Sequence, residues 1–236
     1  MLVSHRFKFI YTKTAKTGGT SVEAYFERFC MHDGEWEPRH AREPYESEAG
    51  IIGYRGPGTG EKRKWWNHMP AWLIKERLGD EIWNSYFKFC VIRNPYERCI
   101  SAFEFSGRNY KVDGKLGPLF KFSNRGLTPE QQRFLHYLKH KKARLDRPPG
   151  DRNRYTINGK LCVDDVIRHE NMAADVERIC HRLGLPWEPE MLPTFKVGKR
   201  RKEATVANLY SPKAKQLIER AYRFELDTFN YTFPES

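Results

Sequence analysis

The sequence predicts an α/β fold, a three-layer sandwich in which helices flank a mainly parallel central sheet. Apolar runs of strand length alternate with helical patterns along most of the 236 residues, an order typical of such sandwiches. The densest apolar run, residues 86–93, is typical of a strand buried on both faces. Because 39% of the residues are hydrophobic, we expect one core and a single domain over residues 1–236.

The first half of the chain contains two strand–helix pairs around a long loop. A strand is predicted at residues 7–12 and a helix at 20–30. Residues 31–67 are polar and rich in glycine and proline, which indicates a loop with one short strand at 51–54. A helix is expected at 70–79, since Pro starts it and Gly ends it. The buried strand 86–93 follows.

The second half is more helical. Asn94 is a candidate cap for a helix that begins at Pro95, and Asn158-Gly159 indicates a hairpin. Further helices are predicted at 129–140, 171–183 and 211–229, and basic loops at 141–154 and 186–207.

Charge and cysteine usage limit the function classes. The net charge of +12 and the isoelectric point near 9.5 favour a polyanionic partner, which charge alone does not identify. The five cysteines form no CxxC pair, so reduced thiols are expected rather than a zinc site. The N-terminal residues lack the apolar core of a signal peptide and no apolar run reaches the length of a membrane span, so we expect a cytoplasmic protein.

The segment YTKTAKTGGTS, residues 11–21, predicts an oxyanion site. A strand–loop–helix unit directs backbone N–H groups and the positive end of the helix dipole into the turn. Adjacent glycines allow an anion to approach the backbone, hydroxyls add donors and a lysine adds charge. The candidate ligands are Lys16, Thr17, Gly18, Gly19, Thr20 and Ser21.

The pattern differs from that of a triphosphate-binding loop, GxxxxGK[ST]. In residues 11–21 the lysine precedes the glycines and Thr20 follows them, so the order is inverted. A second segment, GPGTGEKR at Gly56–Arg63, has Glu before its lysine and Arg where a hydroxyl is required. We interpret that segment as a flexible loop.

Two motifs resemble those of the PAPS-dependent carbohydrate sulfotransferases of the family 2 type, where PAPS is 3′-phosphoadenosine 5′-phosphosulfate. TAKTGGTSVEAYF resembles the family's 5′-phosphosulfate loop, with Ala15 in place of the usual Pro. VIRNPYERCISAF resembles its 3′-phosphate site, with Arg93 and Ser101 as ligands. The resemblance implies a P-loop-like fold.

Weaker similarity extends over most of the chain. It includes the segment around NHMPAWLIKERLG, the late unit KLCVDDVIRHENMAADVERIC and the closing helix. The basic loop 186–207 takes the place of a loop that covers the nucleotide in the family, where Lys199 and Arg200 keep the charge. Lys196 and Gly198 depart from the expected Asn and Ser, which puts contacts there in doubt.

The resemblance implies sulfuryl transfer from PAPS to a hydroxyl without a metal. Lys16 would neutralise the leaving oxygen and His68 would act as the base, with Glu61 and His40 in reserve. His169-Glu170 is interpreted as an ion pair at the end of the sheet.

The acceptor is expected to be a carbohydrate or glycolipid, recognised by loops 31–67 and 107–128. Trp65, Trp66 and Trp72 are candidates for stacking on a sugar, although core packing is favoured for at least one of them. Two alternatives stay open, a nucleotide-dependent kinase of related fold and a non-catalytic basic nucleic-acid-binding protein. Nucleic acid is not the expected partner because no motif for it is present.

Overall fold

The computed structural model describes residues 1–58, 60–107, 125–143, 148–195 and 200–235. The chain divides into two compact units. Unit 1 comprises Met1–Ile92 and Asp151–Phe195, and unit 2 comprises Arg93–Gly150 and Lys196–Ser236.

The described residues contain short strands and helices of one to three turns. The strands are β1 (Leu2–Ser4), β2 (Phe9–Thr12), β3 (Tyr45–Glu46), β4 (Gly50–Ile52), β5 (Phe87–Ile92), β6 (Thr156–Ile157), β7 (Lys160–Leu161) and β8 (Asp165–Arg168). The helices are α1 (Gly19–Glu27), α2 (Ala71–Leu78), α3 (Asp80–Ser85), α4 (Pro95–Ala102), α5 (Pro129–Tyr137), α6 (Met172–Leu183), α7 (Val206–Leu209), α8 (Pro212–Ala221) and α9 (Arg223–Thr228).

The sheet of unit 1 is mixed, which corrects the prediction of a mainly parallel one. Its strand order is β3-β4-β1-β2-β5-β8. The pairs β2–β5 and β5–β8 are parallel, whereas β3–β4, β4–β1 and β1–β2 are antiparallel. The difference arises from β1, because this three-residue strand is too short for a sequence pattern and turns tightly into β2 through residues 5–8.

Helices cover both faces of this sheet. Alternate residues of β2 point to opposite faces, so Phe9 and Tyr11 pack with Phe26 of α1, while Ile10 packs with Ile74 of α2. The α1 face also receives Val176 and Ile179 of α6. The predicted arrangement of a sheet between helical layers therefore holds within unit 1.

Unit 2 has its own core of aromatic and aliphatic side chains from α4, α5, α7 and α8. Tyr96, Phe103, Phe134 and Tyr210 are central to it, and their rings meet mostly edge to face. Such pairs stabilise a core beyond the area they bury.

Several predicted boundaries are confirmed. The Asn94 side chain accepts a hydrogen bond from the Tyr96 N–H at 3.1 Å, which caps α4 before Pro95. The hairpin β6–β7 turns at Asn158-Gly159, and α6 ends at Gly184 in the left-handed conformation.

The closing helix, predicted over residues 211–229, is instead interrupted at Tyr222, where the backbone leaves the helical region at φ −111° and ψ 20°.

All five cysteines are free thiols, as the sequence predicted. Cys30, Cys90, Cys99 and Cys180 are buried, and Cys162 is partly buried. Burial raises the pKa of the Cys162 thiol to about 12 and raises the thiol pKa of Cys30, Cys90 and Cys180 as well.

Candidate active site

The first candidate site is the glycine loop, defined as residues 13–18, which joins β2 to α1. The parallel pairing of β2, β5 and β8 brings the carboxyl ends of these strands to one edge of the unit 1 sheet, where the glycine loop begins. Lys16 and Gly18 both have left-handed backbone conformations, with φ of 64° and 78°. A lysine in this region is uncommon, and such strained residues cluster at functional sites.

The structure explains why glycine occupies both positions, Gly18 and Gly19, of the motif. A Cβ at Gly18 would lie 2.7 Å from the Met172 methyl carbon and 2.9 Å from Nδ1 of His169, in addition to the unfavourable φ. A Cβ at Gly19 would lie 2.7 Å from the Tyr11 hydroxyl oxygen. The loop is therefore packed tightly on its protein side, and a larger residue at either position would require the loop or these side chains to move.

Hydrogen bonds from neighbouring elements hold the loop backbone. The Thr14 hydroxyl donates to the carbonyl of Val91 in β5, and the Ala15 N–H donates to Oδ2 of Asp151 at 3.0 Å. The Thr14 and Thr17 hydroxyl oxygens lie 2.8 Å apart. Because the Thr14 hydrogen goes to Val91, the Thr17 hydroxyl is the donor in that pair. In this structure Thr17 therefore directs its hydroxyl hydrogen into the protein.

The start of α1 offers donors to the loop. The first N–H groups of a helix have no intrahelical partner, and the first turn of α1 carries no acidic residue that would repel an anion. Thr20 is partly exposed, and the Ser21 hydroxyl oxygen accepts the Phe195 N–H at 3.4 Å. Lys16 is also partly exposed, whereas Lys13 is buried.

A buried chain of ion pairs lies behind the loop, and the sequence analysis did not predict it. Lys13 Nζ lies 2.6 Å from Oε2 of Glu23, and Arg55 Nη1 lies 2.9 Å from the same carboxylate oxygen. Arg55 also pairs with Glu27, which accepts from Arg42 Nε at 2.9 Å. Burial disfavours the Glu23 charge, yet Lys13, then the Met1 ammonium and Arg55, hold its pKa well below the usual range. Lys13 is therefore committed to an internal pair.

His68 lies beside the first residue of the loop. Its Nδ1 is 3.2 Å from the Lys13 carbonyl oxygen, which can only accept, so Nδ1 carries the hydrogen and Nε2 has the lone pair. Burial first, and then the Lys13 charge, lower the His68 pKa to about 4. The ring is thus neutral at neutral pH, as a general base must be.

The two reserve candidates lie elsewhere in the loop region 31–67. The exposed His40 ring meets Phe195 edge to face, with centroids 5.2 Å apart, and Glu61 is exposed. Both are exposed, whereas His68 is partly buried and its tautomer is set by the Lys13 carbonyl.

The second candidate site lies in unit 2, around the first turn of α4. Nη2 of Arg93 lies 3.4 Å from Oε2 of Glu97, and Arg200 Nη1 lies 2.5 Å from the same oxygen. Ser101 is partly exposed on α4. The structure thus brings Arg93 and Arg200 together, while Lys199 lies outside the described residues.

Comparison with protein-family models finds the Sulfotransferase family, whose model matches residues 1–232. The chain belongs to the sulfotransferase family, of the family 2 type. A relative from Archaeoglobus fulgidus, described as an uncharacterized protein, is 27% identical over 121 residues, which cover 51% of this chain and 86% of the relative. No solved structure matches the chain.

The three tryptophans predicted as candidates for stacking on a sugar divide between the core and the surface of this sulfotransferase. Trp65 and Trp66 are buried in the core on the α2 face of the sheet. Trp72 is 48% exposed, so it alone of the three has a face available to a ligand. Arg63, the last residue of GPGTGEKR, has its guanidinium 3.7 Å from the centroid of the buried Tyr54 ring.

A cleft of about 340 Å³ lies in loop 31–67. Its lining includes Arg39, Arg42, Tyr45 and Tyr54. Within the described residues no cluster of His, Cys, Asp or Glu has the composition of a metal site. Over the same part of the chain no helix of the sulfotransferase has the length and apolarity needed to cross a bilayer.

The sequence analysis overlooked two groups that shape the site, Asp151 and the series of ion pairs that begins at Lys13. It named His169 but did not place it against the glycine loop. The sequence did contain a sign of these ion pairs. Glu23 and Glu27 are spaced to share one face of α1, and the motif before them contains Lys13 as well as Lys16. No local pattern relates Asp151 or His169 to a loop more than 130 residues earlier.

Proposed function

We propose that this sulfotransferase moves a sulfuryl group from PAPS to a hydroxyl of a carbohydrate or glycoconjugate. The glycine loop supports this proposal most directly. Of its two lysines, Lys13 is buried against Glu23, and Lys16 is partly exposed beside the glycines. The loop therefore combines a partly exposed lysine, left-handed turns and the start of a helix, a donor set that suits a phosphosulfate.

Each unit carries residues whose chemistry suits one charged end of PAPS. In unit 1, the backbone of residues 16–20 with the Lys16 ammonium would hold the 5′-phosphosulfate. In unit 2, Arg93 and Ser101, with Arg200 nearby, would hold the 3′-phosphate, since a guanidinium binds phosphate in a forked geometry. Ile92, the last residue of β5, directly precedes Arg93 in the chain.

The chemistry requires alignment and stabilisation of charge rather than covalent catalysis by the protein. When bound, PAPS supplies a sulfuryl group attached to a phosphate leaving group. In this proposal Lys16 and the loop N–H groups stabilise negative charge on the leaving oxygen. His68 accepts the proton of the acceptor hydroxyl at Nε2, because Nδ1 already donates to the Lys13 carbonyl.

The acceptor is proposed to bind near the loop region 31–67. The 340 Å³ cleft lies there, and its tyrosine and arginine lining can contact sugar rings and hydroxyls. Exposed Trp72 offers a further aromatic face. The second predicted recognition loop, 107–128, lies outside the described residues except at positions 107 and 125–128.

Calorimetry tests the nucleotide part of the proposal. We expect the protein to bind adenosine 3′,5′-bisphosphate and to bind ATP with magnesium at least about tenfold more weakly, because the loop lacks the lysine–hydroxyl order of a triphosphate site. Preference for ATP would instead favour a kinase. Salt-dependent DNA binding without nucleotide affinity would favour a nucleic-acid-binding protein.

Variants of two comparable lysines test the catalytic part. Lys16→Ala should lower turnover with PAPS and a responsive glycan about a hundredfold or more. Lys8→Ala is the matched control, because Lys8 is also a left-handed lysine, with φ of 52°, and lies at the opposite end of β2. Equal activity of the two variants would contradict the assignment of Lys16.

A further inference from the structure

His169 contacts the glycine loop directly. It follows β8, so it lies at the sheet edge where β2 leads into the loop. Its Nδ1 is 3.0 Å from the Thr17 carbonyl oxygen. Because a carbonyl oxygen only accepts, Nδ1 carries the hydrogen and donates it. The sequence analysis interpreted His169-Glu170 as a sheet-end ion pair and did not predict this contact of the His169 ring with the loop.

The Thr17 carbonyl determines where the next N–H points. Thr17 and Gly18 share a planar trans peptide, in which the C=O and N–H bonds point in opposite directions. A hydrogen bond that holds the carbonyl toward His169 therefore directs the Gly18 N–H away from it. The orientation of one peptide thus decides whether a donor or an acceptor faces a ligand of the loop.

This peptide can rotate more easily than a peptide between two residues that both carry a Cβ. Left-handed residues flank Thr17 on both sides, and Gly18 has no Cβ to resist a change of φ. If the peptide rotated, the carbonyl of Thr17 would turn its partial negative charge toward the face that we assign to an anion. His169 opposes this rotation by its hydrogen bond, and the Met172 methyl packs close to Gly18 on the same side.

We propose that His169 is a positioning residue of the sulfotransferase. It holds the Thr17–Gly18 peptide so that the Gly18 N–H donates a hydrogen bond to the 5′-phosphosulfate of PAPS. The inference rests on the proposed function, since it assumes that the glycine loop binds that end of the nucleotide. Asp151 makes the corresponding contact with the Ala15 N–H. His169 holds a carbonyl, which is the group that an anion must not meet.

Two variants separate positioning from a role for the imidazole charge. His169→Ala removes the donor, whereas His169→Asn places an uncharged amide N–H close to the position of Nδ1. Calorimetry compares adenosine 3′,5′-bisphosphate with adenosine 3′-monophosphate, which lacks the 5′ group. We expect His169→Ala to bind the bisphosphate about tenfold more weakly, and His169→Asn to stay within about threefold of the wild type. Affinity for the monophosphate should not change in either variant.

Each other outcome overturns the inference in a recognisable way. Equal loss in both variants would assign the effect to the imidazole itself, and equal loss for both ligands would indicate general damage, which thermal unfolding would also detect. Unchanged bisphosphate affinity in His169→Ala would show that the contact plays no part in binding. If the wild type bound neither nucleotide, the proposed function itself would fail. Bisphosphate binding by the wild type with no effect of His169→Ala would refute this inference alone.

Discussion

The two candidate sites hold their cations by different means. In unit 1, Lys13 is 3% exposed and Arg55 is 4% exposed, and both pair with fully buried carboxylates. In unit 2, Arg200 is 34% exposed and shares Glu97, 23% exposed, with Arg93, 14% exposed, in the first turn of α4. Buried ion pairs fix geometry and are strongly destabilising to break, whereas exposed pairs exchange readily with solvent and other anions. The glycine loop is thus built on a rigid base, and the arginine cluster has partners that a phosphate can replace.

The largest expected effect comes from breaking the buried series of ion pairs that links Lys13, Glu23, Arg55 and Glu27. Glu23→Gln should lower the free energy of unfolding by about 3–5 kcal/mol, because buried Lys13 would lose its carboxylate partner and buried Arg55 would lose one of its two. Denaturant unfolding followed by circular dichroism measures it. Glu219→Gln is the control, since Glu219 forms only an exposed pair with Lys215. A decrease in the free energy of unfolding of less than about 1 kcal/mol would mean that these ion pairs do not stabilise unit 1.

The next effect concerns pH. His68 has a pKa of about 4 in the folded protein and near 6.5 when unfolded, so the unfolded state binds the proton first. The stability from neutral His68 is therefore complete above pH 6.5 and is lost as the pH falls toward 4, by up to about 1.4 kcal/mol per pH unit.

Unfolding of the wild type and of His68→Gln between pH 4 and 8 checks this dependence. The difference in the free energy of unfolding between the two proteins should be constant above pH 6.5 and should change as the pH falls from 6.5 toward 4. In the wild type, the acid limb of kcat/KM should also lie well below pH 6. An acid limb at pH 6.5 would place the base outside the buried site.

A smaller effect separates backbone strain from close packing in the glycine loop. Gly18→Ala and Gly159→Ala both force alanine into a left-handed conformation, with φ of 78° and 75°. The strain alone should destabilise each by about 1–2 kcal/mol. Only Gly18 has neighbours within 3 Å of the added Cβ, so Gly18→Ala should lose more stability and also nucleotide affinity. Equal losses in unfolding and calorimetry would show that His169 and Met172 yield freely.

The smallest effect is expected in unit 2. Glu97→Gln should change the free energy of unfolding by no more than about 1 kcal/mol, and the change should diminish as salt is added. Unfolding at low and high ionic strength measures it, with Arg220→Ala on the exposed side of α8 as a charge control. A large, salt-independent loss would make the arginine cluster as rigid as the glycine loop and remove the contrast.

Local chemistry explains what the sequence predicted well. The β2–loop–α1 unit, the α4 cap and the hairpin at Asn158 each depend on a few adjacent residues. The antiparallel half of the sheet depends less on local pattern, because β1 has three residues and β3 two, and β1 also pairs with the distant strand β4, where Leu2 lies opposite Ile52. The same limit applies to Arg55, whose partners Glu23 and Glu27 lie about 30 residues earlier. Long-range pairing leaves no periodic signal in either case.

The cysteines have a practical consequence for measurements on this sulfotransferase. A thiol reacts as the thiolate, and burial raises the pKa of Cys30, Cys90, Cys162 and Cys180. Alkylating probes at neutral pH should therefore leave these side chains largely unmodified in the native protein. A single cysteine introduced at an exposed position would then take a spectroscopic label selectively, without prior removal of the native thiols.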